Sequence, residues 1–188
     1  MKDFSNNFEQ EQTIKDNDSV IMDFVVAPAS DHASGLNLEG LVDYINKKTK
    51  FKINLILCKD YNEAIEALIQ GKAQIGWLGP YAYLEASRSG AIEQFAIGLP
   101  KGKKTTNYQS VFIVRQDSTI TSLEKIKNTR LIIGDHHSTS GYAVPKQLLS
   151  EVGINIDNEN EFKEVIKSNT HDEAIRDIIE GRADVAPV

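Results

Sequence analysis

The sequence predicts an α/β protein built from two similar units that follow one another along the chain. Patterns typical of strands and helices alternate from Val20 onward, which indicates parallel sheets covered by helices. A segment that begins near residue 60 recurs near residue 170, which indicates an internal repeat. The composition fits a globular protein, since 40% of the 188 residues are hydrophobic and 26% are charged.

The first half of the chain alternates between predicted strands and predicted helices. Apolar residues at every second position favour a strand, and apolar residues three and four positions apart favour a helix. One helix opens with a capping box, in which Asp60 and Glu63 bind early amides, and stops at Gly71. The predicted elements are strands over residues 20–27, 51–58 and 73–78, and helices over residues 37–48, 60–70 and 80–90.

The second half repeats this alternation after a polar turn at residues 101–106. Residues 121–124 read Thr-Ser-Leu-Glu, a capping sequence that predicts a short helix. Residues 130–134 are largely apolar and predict a buried strand, which leads through a polar turn into a helix that ends at Gly153. Two further strands are predicted, over residues 110–115 and 162–166.

The internal repeat relates residues 60–75 to residues 170–185. Each copy contains a capping residue, an amphipathic helix, a glycine and a short strand at matching positions, although two amphipathic helices can also look alike by chance. Tyr61 and His171 occupy the same place in the two copies, the first residue of the helix. Ligands of open α/β sheets bind beyond the carboxyl ends of the strands, where helices begin. The repeat therefore predicts that Tyr61 and His171 lie on opposite walls of one cleft.

The turn that follows the buried strand of the second half carries the clearest chemistry. Ser138, Thr139 and Ser140 are consecutive hydroxyl residues, followed by Gly141 and a helix with Pro145 in its first turn. Hydroxyls and free amides at the positive end of a helix can hold an anion without formal charge. The alternative is plain capping of the helix, which accounts for one hydroxyl but not for three in a row.

Three segments resemble the phosphate-, phosphite- and phosphonate-binding proteins of ABC importers. They are residues 138–145 (STSGYAVP), residues 75–83 (IGWLGPYAY) and residues 108–115 (YQSVFIVR). The similarity extends from about Ile21 to Val188 in the family's order. It implies a type II periplasmic-binding fold, in which two lobes joined by crossover strands close on a ligand. Residues 20–106 would form the first lobe and residues 107–188 the second.

The resemblance also implies roles for individual residues. The hydroxyl residues Ser138, Thr139 and Ser140 match positions that hold the phosphorus oxygens, together with amides around Gly141. Three further residues match positions that complete the binding shell, namely Tyr61, Tyr108 and His171. Tyr81 and Tyr83 lie in the second matching segment and are candidates for lining the cleft, with core packing as the alternative for at least one of them.

The two ends of the chain carry separate expectations. Members of the family continue for roughly another hundred residues, so the resemblance implies a first lobe that is incomplete, with a chain truncated before the return crossover. Apolar surface would then be exposed on that lobe. Residues 1–19 are polar with few apolar anchors, which predicts a disordered leader.

Composition and missing motifs exclude several other functions. The net charge of −6, without a basic stripe, argues against nucleic-acid binding. The single cysteine, Cys58, excludes an internal disulfide, and the adjacent His136 and His137 beside Asp135 are a weak metal pattern. No cofactor is expected. No run of about 18 apolar residues and no signal peptide occurs, so membrane attachment would need a lipid anchor that this sequence does not contain.

The predicted function is the solute-binding component of an ABC importer. It would bind a small phosphorus oxyanion outside the cytoplasm, deliver it to a permease and catalyse no reaction. Two alternatives remain open from the sequence. One is the ligand-sensing domain of a membrane receptor, and the other is a phosphoester hydrolase that pairs His171 or His137 with Ser138 or Ser140.

Overall fold

The computed structural model describes residues 19–28, 38–99, 102 and 104–188. The leader predicted over residues 1–19 lies outside these residues, apart from Ser19. Within the described part of the chain, strands and helices alternate, which confirms the predicted α/β class. The strands form one three-stranded sheet and two two-stranded sheets, and a bridge between Leu131 and Val185 joins the latter two into a second sheet.

The first sheet contains three parallel strands in the order β2-β1-β3. Apolar residues from β1 and β2 meet the inner faces of the helices on both sides of the sheet, which gives two small cores. The strands are β1 (Val20–Val26), β2 (Phe51–Leu57) and β3 (Ile75–Trp77), and the helices are α1 (Leu38–Lys48), α2 (Tyr61–Ile69) and α3 (Pro80–Ser87).

The second sheet has the order β6-β5-β7-β4. β5 pairs with β6 in parallel, Leu131 of β5 bridges Val185 just before β7, and β7 pairs antiparallel with β4. The strands are β4 (Phe112–Ile113), β5 (Arg130–Ile133), β6 (Glu164–Lys167) and β7 (Ala186–Pro187), and the helices are α4 (Val144–Glu151) and α5 (His171–Ile179). Two 3-10 helices, Leu123–Ile126 and Glu159–Glu161, lie in the connections.

The repeat seen in the sequence is also a repeat of topology. In the first sheet β1 lies between β2 and β3, and in the second sheet β5 likewise lies between β6 and β7. Both repeated helices begin at the predicted residue, and each is capped by the preceding side chain. The capping bonds measure 2.8 Å from Glu63 N to Asp60 Oδ1 and 3.2 Å from Glu173 N to Thr170 Oγ1.

The helix predicted after the hydroxyl residues has an unexpected first turn. Residues 139–143 form a π turn, in which the amide of Ala143 donates to the carbonyl of Ser138 at 3.0 Å. The reason lies in Pro145, which has no amide for the carbonyl of Gly141, four residues earlier. That carbonyl accepts instead from the amide of Gly134 at the end of β5, at 2.9 Å.

Two other local predictions need correction. The strand predicted over residues 110–115 is reduced to Phe112 and Ile113, because its partner β7 is equally short. The capping sequence at residues 121–124 does not cap an α-helix. Leu123–Ile126 is a single turn of 3-10 helix whose N-terminal residue, Ser122, makes no side-chain capping bond.

The second sheet has the more completely buried core. Leu131, Ile132 and Leu149 are fully buried there, and burial of each such side chain stabilises the fold by about 1.5–3 kcal/mol. Beyond the first sheet, the extended segment that follows α3 leaves large apolar side chains in solvent. Phe95 is 81% exposed, and Ile97 and Leu99 are more than half exposed.

An ion pair joins the centre of the second sheet to the segment that leads into β7. The carboxylate of Asp184 accepts from the backbone amide of Arg130 at 2.8 Å and from its guanidinium at 2.6 Å. These bonds to Arg130 hold the pKa of Asp184 below its ordinary value. Because the Asp184 carboxyl has a lower pKa in the folded protein than in the unfolded chain, its ionised form stabilises the fold at pH values above the pKa of the unfolded chain. This stabilisation is lost as the pH falls through the pKa of the folded protein.

We therefore expect Asp184→Asn to lower the free energy of unfolding by about 1–2 kcal/mol at neutral pH. The difference from the unmodified protein should shrink below about pH 4, where the carboxyl group is protonated in the unfolded chain. Urea unfolding at both pH values measures it. Asp117→Asn, at an exposed ion pair with Arg115, is the matched control and should change stability by less than about 0.5 kcal/mol. Equal stability of all three proteins at neutral pH would contradict the prediction.

Candidate functional site

The hydroxyl turn, residues 138–141, is held tightly against the end of β5. Besides the bond between Gly134 and Gly141, the Oγ of Ser138 accepts from the amide of Gly141 at 3.0 Å, which closes the turn. The two glycines approach so closely that a Cβ on Gly134 would lie 3.0 Å from the Cα of Gly141. The position of the hydroxyls is therefore set by the central strand of the second sheet.

The three hydroxyls of the turn point to different partners. Ser138 is buried and caps its own turn. The Oγ1 of Thr139 accepts from the backbone amide of Tyr81 at 2.9 Å, so it caps α3, which belongs to the first sheet. This helix begins after Gly79, which has no side chain to supply that bond. The Oγ of Ser140 lies 3.1 Å from Nε2 of His171 at the start of α5.

Tyr61 reaches the same place from the first sheet. Its side chain is 6% exposed, and burial raises the pKa of the phenol, while a hydrogen bond with Ser138 offsets part of that rise. The phenol is therefore a neutral group that can donate one hydrogen bond at physiological pH. Tyr61 and His171 both face the hydroxyl turn, from the two sheets that the repeat predicted would supply them.

Burial lowers the pKa of His171, and the neighbouring carboxylate of Asp172 raises it by a smaller amount. The imidazole is therefore neutral near pH 7 in this arrangement, and one ring nitrogen can donate while the other accepts. A negatively charged ligand beside the ring would favour the imidazolium instead. His171 is thus a second titratable donor that contacts the turn, besides Tyr61.

A small cavity lies between the two sheets beside the hydroxyl turn. Its free volume is about 10 Å³, which corresponds to roughly one water molecule. Side chains from the ends of strands and the starts of helices form its walls. The lining residues are Pro28, Tyr61, Ile132, Gly134, Asp135, Ser138, Ser168, Asn169, Thr170, His171, Ala174 and Pro187.

The other tyrosines predicted from the sequence to belong to the site do not line the cavity. Tyr108 is 57% exposed and does not line the cavity. Nearby, however, the hydroxyl of Ser110 donates to the carbonyl of Ser140 at 2.7 Å, so this segment does contact the turn. Tyr81 contributes its backbone amide rather than its ring, and Tyr83 is half-buried in the same helix.

Sequence reasoning missed several residues of this region. Asp135 lines the cavity, although the sequence suggested it only as part of a metal pattern. Its position directly after the end of β5 is the signal that could have found it. Behind the turn, Asp157 accepts from the phenol of Tyr142 and from Nζ of Lys146, so it anchors the far side of the turn.

The histidines beside the turn have structural contacts. His136 packs its ring edge-on against Tyr142, and Nδ1 of His137 lies 3.0 Å from Oδ1 of Asp135. Across the described residues, no group of three or more histidine, cysteine, aspartate or glutamate side chains is placed to hold a metal ion. No helix in the same residues combines the length and the apolar character needed to cross a membrane.

Two α/β units with a hydroxyl-bearing turn between them are typical of two-lobed type II periplasmic binding proteins, and solved structures agree with this fold. A binding-protein component of an ABC phosphonate transporter from Pseudomonas aeruginosa superposes with a TM-score of 0.71 at 22% identity, covering 90% of this chain and 57% of that chain. PhnD1 from Prochlorococcus marinus, solved with methylphosphonate, gives 0.70 at 19% identity, covering 89% and 63%.

The sequence comparison identifies the family, whereas the solved structures show the fold. Residues 24–188 match the family described as ABC transporter, phosphonate, periplasmic substrate-binding protein, and the chain belongs to this family. The phosphate-import protein PhnD of Mycolicibacterium smegmatis is 28% identical over 116 residues, which cover 61% of this chain and 36% of the relative. The chain spans less than two thirds of the length of each of these three proteins.

Proposed function

We propose that this protein binds a small phosphorus oxyanion, such as a phosphonate, phosphite or phosphate, between a first lobe of residues 20–106 and a second lobe of residues 107–188. The observation that carries the proposal is the meeting of Tyr61, His171 and Ser138 of the hydroxyl turn at one cavity between the two sheets, with Ser140 in contact with His171. Hydroxyl, phenol, imidazole and amide groups supply several donors there, which suits a tetrahedral anion in a protein of negative net charge.

The present arrangement corresponds to a closed site without room for the ligand. The cavity holds about 10 Å³, and the donors are bonded to one another, as with Ser140 and His171. Binding therefore requires the two sheets to separate, which breaks the bond between Thr139 and Tyr81. The oxyanion then takes over these donors, and reclosure excludes water and strengthens the new charge-assisted bonds.

In this proposal the protein delivers its ligand unchanged to the permease of an ABC importer. It acts outside the cytoplasm, either free in the periplasm or held at the membrane by a lipid anchor. The support is membership in a periplasmic substrate-binding family. Methylphosphonate, bound by PhnD1 of Prochlorococcus marinus, is the first ligand to test.

The experiment is calorimetric titration of the protein, expressed from its complete reading frame, with methylphosphonate, phosphite and phosphate. We expect saturable binding of at least one of them. The melting temperature should also rise as the concentration of that ligand increases. A protein that binds none of the three at millimolar concentration would refute the proposal.

One contact favours a second candidate function, hydrolysis of a phosphoester. The Oγ of Ser140 lies within hydrogen-bond distance of an imidazole nitrogen of His171, which is the geometry of a nucleophile and its base. Turnover of p-nitrophenyl phosphate distinguishes the two functions. A rate that disappears in His171→Ala would favour the enzyme, whereas the binding protein should release no nitrophenol beyond the buffer control.

The pH dependence of binding should depend on His171. Because burial lowers the pKa of this residue and a bound anion raises it, binding is linked to proton uptake. We expect affinity for methylphosphonate to rise as pH falls from about 8 to about 6. His171→Gln should bind more weakly and lose most of this rise. Calorimetry across this range measures both proteins, and a parallel pH profile in the variant would assign the effect to titration of the ligand alone.

A further inference from the structure

Asp135 is the one acidic residue among the described residues that line the cavity. It lines the same cavity as Tyr61, Ser138 and His171. Its Oδ1 accepts from the backbone amide of His137 at 2.8 Å and lies 3.0 Å from the Nδ1 of that residue. Within the described part of the chain, Oδ2 has no hydrogen-bond partner, and the side chain is 24% exposed.

A carboxylate in this position repels an anion that presents only acceptor oxygens. An ionised carboxylate can accept hydrogen bonds but cannot donate one, so it needs a donor on the group that faces it. A phosphorus oxyanion can supply that donor, because it keeps one proton below its second pKa, about 6 for a phosphate ester, and a carboxylate acceptor beside the bound ligand favours this protonated form. A sulfonate of the same tetrahedral shape has three oxygens and no proton to offer at neutral pH.

We propose that Asp135 is a specificity-determining residue that accepts a hydrogen bond from the hydroxyl group of a singly protonated phosphorus oxyanion and thereby rejects sulfonates. The inference rests on the function proposed above and narrows its ligand class to oxyanions that carry a P–OH group. Oδ1 remains occupied by His137 and shapes the turn, while Oδ2 faces the ligand. The hydroxyl turn, Tyr61 and His171 bind the other oxygens as donors.

The test compares methylphosphonate with methanesulfonate in Asp135→Asn and in the unmodified protein, by calorimetric titration. Asparagine keeps an oxygen for the amide of His137 but replaces the second acceptor with a donor. We expect the variant to bind methylphosphonate about ten- to a hundred-fold more weakly. We expect the unmodified protein to bind methanesulfonate at least a hundred-fold more weakly than methylphosphonate. The affinity for methanesulfonate should increase in Asp135→Asn.

Asp117→Asn is the matched control, because it removes the same charge from an exposed position outside the cavity and should leave both affinities unchanged. Thermal unfolding of each variant verifies that the fold is retained. If the unmodified protein binds methylphosphonate but the preference over methanesulfonate is the same in Asp135→Asn, this inference is overturned while the proposed function stands. If the unmodified protein binds no phosphorus oxyanion, both are overturned.

Discussion

Replacing Thr139 and Ser140 together with alanine is expected to weaken methylphosphonate binding by more than about a hundred-fold, since each hydroxyl would give one hydrogen bond to a charged group. Neither side chain lines the small cavity, but Thr139 accepts from the amide of Tyr81 on the facing sheet, and the Oγ of Ser140 lies 3.1 Å from Nε2 of His171, which does line it. The backbone of the turn should survive, because Ser138 and not its neighbours closes it.

Calorimetric titration of the double variant measures this effect. The control is a double alanine replacement of Thr121 and Ser122, a threonine–serine pair in the same half of the chain that lies outside the cavity. It should bind normally. An unchanged dissociation constant in the Thr139 and Ser140 variant would show that the ligand is held elsewhere and would remove the basis for the proposed function.

Gly134→Ala should damage both the fold and the site. The added methyl group would meet the Cα, carbonyl carbon and oxygen of Gly141 at 3.0–3.3 Å, and these backbone atoms cannot rotate away. Relieving the contact would move the turn off the end of β5. We expect a loss of about 1–3 kcal/mol in the free energy of unfolding. We also expect methylphosphonate affinity to fall by at least ten-fold.

Gly90→Ala provides a control that separates lost stability from lost geometry. Gly90 has a φ of +72° and open space around its Cα, so alanine there costs about 1–2 kcal/mol through backbone strain alone. This variant should melt earlier and still bind methylphosphonate with unchanged affinity. If Gly134→Ala behaved in the same way, the close approach of strand and turn would have no role in binding.

Local rules predicted most of the helices and part of the site. The alternation of apolar residues gave the α/β class, and the repeated capping sequences gave the first residues of α2 and α5 correctly. Because two copies of one unit place equivalent residues at equivalent strand ends, the repeat also put Tyr61 and His171 near the hydroxyl turn. Each of these predictions depends on residues that are close in sequence.

The features that the sequence did not reveal depend on distant partners. Beside the π turn, the carbonyl of Gly141, which Pro145 cannot bind, accepts instead from the amide of Gly134 just after β5. The bond between Thr139 and Tyr81 joins residues 58 positions apart. Asp135 is a different case, because an aspartate followed by two histidines resembles a metal-binding pattern in the sequence. Only the structure shows that this aspartate lines the cavity.

The cap that Thr139 provides for α3 has a consequence for how the cleft works. Helix α3 begins just after Gly79, which has no side chain to cap it. The amide of Tyr81 in its first turn donates instead to Thr139, which belongs to the opposite sheet. When the halves separate, the amide of Tyr81 must find water, and the first turn of that helix loosens. In the proposed function, solute entry would therefore be coupled to fraying of the start of α3, and restoring this cap would favour closure of the empty cleft.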